Sequence, residues 1–404
     1  MKAARLSAVA IAAAALLAAT AQARPWRVQT IATPGPALSR GLDVLPDGRA
    51  AVVLERSVGR STRLELRIAG RSRPLDSHSR TFSAVQIAHD SRGRLVVTWS
   101  RYTGELFAWT AATRTRHIAS AAADASLAVT PDGRAVLAYS TRGGPFVARG
   151  FVRSGFGRSE SIGTTTSNAT PAIAISAAGR IVVAWNAGDG VIALRSAAGG
   201  APFGSTRAVR LRARDPGTVV TGQVPRIAMT SDGRAIVVVY SVLARGARIA
   251  DARVEAFAWT VRAARPTSAA TLSRGAMAGE PDVVASGKSA RIAWTQQTRR
   301  TPRALWATRW TGKGPQRPNV YDTRALGGPV LLTVGRRDAV NAFYRAGGQR
   351  WFTVRLTAAG LYRGTSVVTP PGEEIAAIDV AAAGGRVAAA WTSGRGARVQ
   401  LGRP

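Results

Sequence analysis

The stretch Pro131-Asp132-Gly133-Arg134-Ala135-Val136-Leu137-Ala138-Tyr139 decides how this chain folds. Asp-Gly between two apolar runs is a strong hairpin signal: Gly accepts positive φ, Asp bonds back to its own backbone, and a preceding Pro presets the turn. The run that follows is apolar at successive positions, so both faces of its sheet must be covered. Ile181-Val182-Val183-Ala184-Trp185, after Ala178-Gly179, has the same character.

The unit recurs in both directions. Five copies place an aromatic six or seven residues after the turn glycine: Gly93 to Trp99, Gly133 to Tyr139, Gly179 to Trp185, Gly233 to Tyr240 and Gly385 to Trp391. Pro46-Asp47-Gly48 leads to Leu54 instead, and two degenerate copies run from Gly287 to Trp294 and from Gly335 to Tyr344. That makes eight, and long-period self-similarity of this kind marks a repeat architecture. A third strand-like segment follows each hairpin, as at 105–110, 146–151, 191–196, 254–260, 305–310 and 351–356, and a weaker fourth comes after it. Four strands in about 47 residues is the arithmetic of a propeller blade. Residues 26–33 resemble a fourth strand with no blade of its own, while the C-terminus stops after a third strand at 398–401. Joining the two would complete the last blade. The expected fold is therefore all-β: a single β-propeller, 24–404, of eight four-stranded blades closed by strand 26–33, with seven blades as the alternative count.

The pattern of apolar strand, Asp-Gly-Arg turn and Val-Val-Ala-Trp-like strand resembles secreted bacterial β-propeller repeat proteins, loosely similar to sialidase-like and WD40-like propellers. The resemblance covers nearly all of 24–404 and implies the propeller fold. Sialidase Asp-boxes keep Ser-x-Asp-x-Gly before the aromatic, whereas here Asp and Gly are adjacent, as in Ser231-Asp232-Gly233.

Residues 1–23 have the layout of a secretory signal: Lys2 and Arg5, an apolar run over 6–19, and Ala21-Gln22-Ala23 as a small-x-small cleavage site. The run is shorter than the ~20 residues a membrane-spanning helix needs, and no later segment is long and apolar enough. The expectation is an exported, extracytoplasmic protein, wall-attached or free, acting as a monomer. There is no cysteine, which excludes a disulfide scaffold, thiolate metal sites and a cysteine nucleophile.

Net charge is +34, and of 56 basic residues only Lys2, Lys288 and Lys313 are lysines. Such a surface should attract polyanions: an anionic cell-wall polymer, an acidic polysaccharide or another extracellular polyanion. Six arginines occupy the same place, directly after the turn glycine: Arg49, Arg94, Arg134, Arg180, Arg234 and Arg386, with Lys288 and Arg336 in the degenerate copies. In a propeller these turns share one face, so the residues should form a basic ring suited to carboxylate, sulfate or phosphate. Asp47, Asp90, Asp132 and Asp232 lie close enough in sequence to cancel part of it.

Catalytic signals are sparse. The three histidines, His78, His89 and His117, have no metal-ligand spacing, and no Gly-x-Ser-x-Gly elbow occurs. Acidic residues are dispersed: Glu65, Glu105 and Glu255 in third strands, Glu373-Glu374 before the last blade, and Asp189 at a hairpin tip. The reading favours a non-catalytic binding or scaffold propeller with no cofactor or metal, the alternative being a glycan-active hydrolase or lyase with carboxylates gathered at the axis. The repeated aromatics read as packing between blades, while Trp306, Trp310, Trp351 and Phe352 are the aromatics expected to be exposed for contact.

Overall fold

The computed structural model describes the chain apart from residues 1–36, 165–169, 189, 212–218, 246–247, 261–262, 264, 274–276, 299–301, 336–337, 347–349, 358–364, 371–374, 384–385, 394–395 and 403–404. Eight antiparallel sheets follow one another along it. Blade 1 holds β1 (Ala37–Val44), β2 (Ala50–Val58), β3 (Ser61–Ile68) and β4 (Arg71–His78); blade 2 holds β5 (Phe82–His89), β6 (Leu95–Arg101), β7 (Leu106–Thr110) and β8 (Thr113–Ala119). Blade 3 is β9 (Ala125–Val129), β10 (Arg134–Thr141), β11 (Gly144–Phe151) and β12 (Gly155–Ser161); blade 4 is β13 (Ala172–Ile175), β14 (Ile181–Gly188), β15 (Val191–Ala197) and β16 (Arg207–Arg210). Blade 5 comprises β17 (Val219–Met229), β18 (Arg234–Arg245), β19 (Arg248–Thr260) and β20 (Ala270–Thr271). Blade 6 comprises β21 (Asp282–Ser286), β22 (Ser289–Gln296), β23 (Ala304–Thr311), β24 (Gly314–Pro315) and β25 (Asn319–Asp322). Blade 7 is β26 (Leu331–Val334), β27 (Val340–Ala346), β28 (Arg350–Leu356) and β29 (Thr365–Val367), and blade 8 is β30 (Ile375–Ala383), β31 (Arg386–Ser393) and β32 (Gly396–Gly402).

The first strand of each blade packs against the first strand of the next, from β1 through β5, β9, β13, β17, β21, β26 and β30 and back to β1. This closes an eight-bladed β-propeller, as the repeat predicts. The core is divided in the same way: eight apolar clusters each draw on two neighbouring blades. At the seam, Val52 and Leu54 of blade 1 meet Ala388 and Val399 of blade 8. Every second strand is sandwiched between two such clusters, which is why its sequence is apolar on both faces. The closing segment 26–33 and the signal segment 1–23 lie outside the described residues, among which blade 8 shows three strands. No helix among the described residues is long and apolar enough to cross a membrane.

Trp99, Tyr139, Trp185, Trp294, Tyr344 and Trp391 are buried in these inter-blade clusters, and Tyr240 is half-buried. Of the four aromatics expected to be exposed, two are not. Trp310 and Trp351 are each only 4% exposed, because third strands are also covered on both faces; Trp310 packs between blades 5 and 6 and Trp351 between blades 7 and 8. Phe352 and Trp306 are half-buried.

Candidate functional site

The turns between first and second strands share one geometry. In blade 1 the Gly48 N–H donates to the Leu45 carbonyl at 2.8 Å and the Leu45 N–H to the Arg49 carbonyl at 2.8 Å. Blades 2, 3, 4 and 5 repeat the pair of bonds from Asp90, Thr130, Ser176 and Thr230. The turn glycines sit at φ values of +81°, +73°, +89°, +78° and +81°. This is a type I turn completed by a glycine in the left-handed region, with Pro46 and Pro131 presetting its second position in blades 1 and 3 and Asp90 and Ser176 at its first in blades 2 and 4. The geometry aims the next residue, an arginine, onto the turn face at the start of the second strand.

On that face four of the six turn arginines are ion-paired within their own turns. Arg49 pairs with Asp47 at 2.7 Å, Arg94 with Asp90 at 2.5 Å, Arg134 with Asp132 at 3.1 Å and Arg234 with Asp232 at 3.4 Å. Burial by itself would raise the Asp90 pKa, but the Arg94 backbone N–H and guanidinium and the Arg92 N–H outweigh it and hold the carboxyl below its usual range. At Asp47 the Arg49 N–H is the main cause of the lowered value. Several arginines also lie across the neighbouring turn. Arg386 donates to the Gly48 carbonyl at 3.2 Å, and a methyl on Gly179 would come within 2.0 Å of Arg134 Nη1. Backbone and hydroxyl bonds stitch other turns together: Ser91 N–H to the Pro131 carbonyl and Ser231 N–H to the Gly287 carbonyl, both at 2.9 Å. Arg180 has no aspartate in its own turn; its backbone N–H donates to Ser176 Oγ at 3.0 Å. Lys288 is exposed, and Arg336 lies outside the described residues.

The turn face opens into a cavity of about 880 Å³ across blades 2, 3 and 4. Five arginines line it, namely Arg92, Arg94, Arg134, Arg149 and Arg153. Arg94 and Arg134 come from the expected ring, and the other three were not expected. Arg149 is fixed by Glu160 at 3.1 Å and stacks over Phe203 at 4.6 Å. Arg153 lies 5.4 Å over the ring of Phe151, which is itself 40% exposed. Arg92 and Arg153 are exposed and, among the described residues, have no carboxylate partner. Five guanidiniums face three carboxylates, so the cavity carries a local excess of two positive charges. Planar forks of this kind grip carboxylate, sulfate or phosphate through two parallel N–H bonds.

The acidic residues show the opposite arrangement. Glu65 pairs with Arg67 and Arg56, Glu105 with Arg101, Asp251 with Arg253 and Asp322 with Arg324. Glu255 is buried beside Ser241 Oγ at 3.4 Å. Asp189 and Glu373-Glu374 lie outside the described residues. Among those described, no three histidine or acidic side chains gather closely enough to hold a metal ion. His89 is bonded through Nδ1 to Asp43 at 2.6 Å, chiefly for which reason its pKa is raised.

Comparison with known proteins supports the architecture. No protein-family model and no curated protein matches the chain. Among solved structures it is similar to the Dos1 propeller, with 8% identity, 94% of this chain and 95% of that one covered, and a TM-score of 0.59. It is also similar to the BP39L lectin from Burkholderia pseudomallei, at 13% identity, 82% and 98% coverage and a TM-score of 0.51. The WD40 domain of SCAP from fission yeast gives 11% identity, 94% coverage of each chain and a TM-score of 0.52. At such identities the likeness concerns the fold.

Proposed function

We propose that the protein is an exported, non-catalytic binding propeller that takes an anionic polymer, such as an anionic cell-wall polymer or an acidic polysaccharide, into the arginine cavity of its turn face. The carrying observation is the pair Arg92 and Arg153, exposed in a cavity with three further arginines and unmatched by carboxylates among the described residues. The other three arginines are already held in place by ion pairs, so they need no further ordering when a ligand binds. A polymer charge would displace mobile counterions and bridge the two unmatched guanidiniums. The net charge of +34 adds long-range attraction that steers such a ligand toward the surface. One of the structures sharing the fold is named a lectin, in keeping with a binding role. Export rests on the signal-like layout of 1–23.

Glycan hydrolysis is the weaker reading, because it needs two carboxyl groups facing one bond, and most of the described carboxylates are engaged by arginines. The test is retention on heparin, teichoic acid and neutral dextran matrices over a salt gradient. Retention on the anionic matrices at low salt, eluted by salt and weakened in Arg92→Ser/Arg153→Ser, is expected. Retention that ignores salt, or none at low salt, would rule the proposal out.

A further inference from the structure

The chain has ten tryptophans, nine of them among the described residues. Eight of those nine are buried in the blades. The exception is Trp306, on β23, which lines an open groove of about 710 Å³ between the outer edges of blades 5 and 6. The groove exists because both edges depart from the blade pattern. The outer strand of blade 5, β20, is only two residues long, and the outer edge of blade 6 is split between β24 and β25, which both pair with β23. Gln316, Arg317 and Pro318, between those two short strands, line the groove opposite Thr271 and Leu272. Gln316 and Arg317 are exposed, and their side chains make no hydrogen bond among the described residues. The backbone of Gln316 is anchored, its N–H donating to the Arg309 carbonyl at 2.8 Å and its carbonyl accepting from Thr308 Oγ1 at 2.7 Å. An indole wall thus stands beside the exposed amide of Gln316 and guanidinium of Arg317, on a backbone anchored at Gln316.

We propose that this groove binds an uncharged pyranose chain. A sugar ring presents an apolar C–H face that packs on an indole and an equatorial rim of hydroxyls that needs amide, hydroxyl and guanidinium partners, and this lining offers both together. A polyproline peptide would require aromatic ridges on both sides of its path; here Trp306 stands alone, its neighbour Trp310 being buried. The site is separate from the arginine cavity, which is lined by blades 2 to 4, and does not depend on the function proposed for it.

The test is calorimetric titration of the full chain at about 0.5 M salt, where the Debye length falls to a few ångströms and the arginine cavity is silenced. The probes are cellohexaose, mannohexaose, chitohexaose and decaproline. Saturable binding of at least one hexasaccharide is expected, weakened at least tenfold by Trp306→Ala and several-fold by Gln316→Ala. Trp306→Phe should retain part of the affinity, and Arg92→Ser/Arg153→Ser should leave it unchanged. The proposal is overturned if no hexasaccharide binds at millimolar concentration, if binding survives Trp306→Ala, or if decaproline alone binds there. A cooperative melting transition well above the assay temperature in each variant shows that a lost signal is not a lost fold.

Discussion

Replacing Trp99 by Ala should cost the ring a measurable part of its stability, and the structure says how much. The side chain is 0% exposed between blades 1 and 2, stacked on Phe107 with ring centroids 5.9 Å apart. Its Nε1 donates to Asp76 Oδ2 at 2.9 Å. Large aromatic-to-alanine changes in a core cost about 3–5 kcal/mol through lost burial and the cavity left behind. Asp76 adds little to this, since Arg101 still holds it at 2.9 and 3.0 Å and no unpaired buried charge results. Unfolding entropy of about 2.1 cal/mol/K per residue, over a ring of roughly 370 residues, converts that loss into a fall in Tm of about 4–6 °C. Trp99→Phe keeps most of the apolar area and leaves Asp76 on Arg101, so it should cost clearly less than Trp99→Ala. Trp306→Ala, at a half-buried position packed on the cluster between blades 5 and 6, should cost less than Trp99→Ala because less area is removed from the core. Differential scanning calorimetry of the three variants decides the matter. The packing argument fails if Trp99→Ala melts within a degree of wild type, or if Trp306→Ala costs as much.

Other outcomes follow from the turn face and the seam. Gly179→Ala forces a β-carbon to within 2.0 Å of Arg134 Nη1 at φ +78°, whereas Gly233→Ala at φ +81° meets nothing within 4 Å. Both pay the left-handed strain of about 1–2 kcal/mol; urea denaturation should show Gly179→Ala as the costlier of the two. His89 has a raised pKa in the folded state, first because of its bond to Asp43. Its contribution is therefore full below the unfolded value near 6.5 and lost as pH rises through the raised folded one. Stability measured from pH 6 upward should fall in wild type and lose that component in His89→Gln. Deleting residues 24–33 should lower Tm if that segment supplies the strand outside β32, and an unchanged melting curve would remove it from the ring.

Much of the architecture was readable in the sequence because propeller packing leaves a local trace. A second strand covered on both faces has to be apolar throughout, and Val136 to Tyr139 show it directly. The turn arginines were readable too, as was their partial neutralisation, because Asp47, Asp90, Asp132 and Asp232 sit one residue before the glycine or within the same turn. The cavity was not. Arg92, Arg149 and Arg153 belong to different turns and strands of two blades, and only the ring geometry brings them beside Gly179 of a third. The exposed aromatics were misjudged for a related reason: Trp306 and Trp310 lie on the same strand, and which of them opens to solvent depends on the shortened β20, a feature of the neighbouring blade.

The claim that the turn face is the binding surface is tested most directly by the salt dependence of affinity for a fluorescent heparin octasaccharide, in wild type and in Arg92→Ser/Arg153→Ser. Each lost contact to an anionic group releases about one counterion fewer. The double variant should therefore bind more weakly and give a log–log salt slope shallower by about two. Identical affinity and slope for the two proteins would place the binding surface elsewhere and contradict the account.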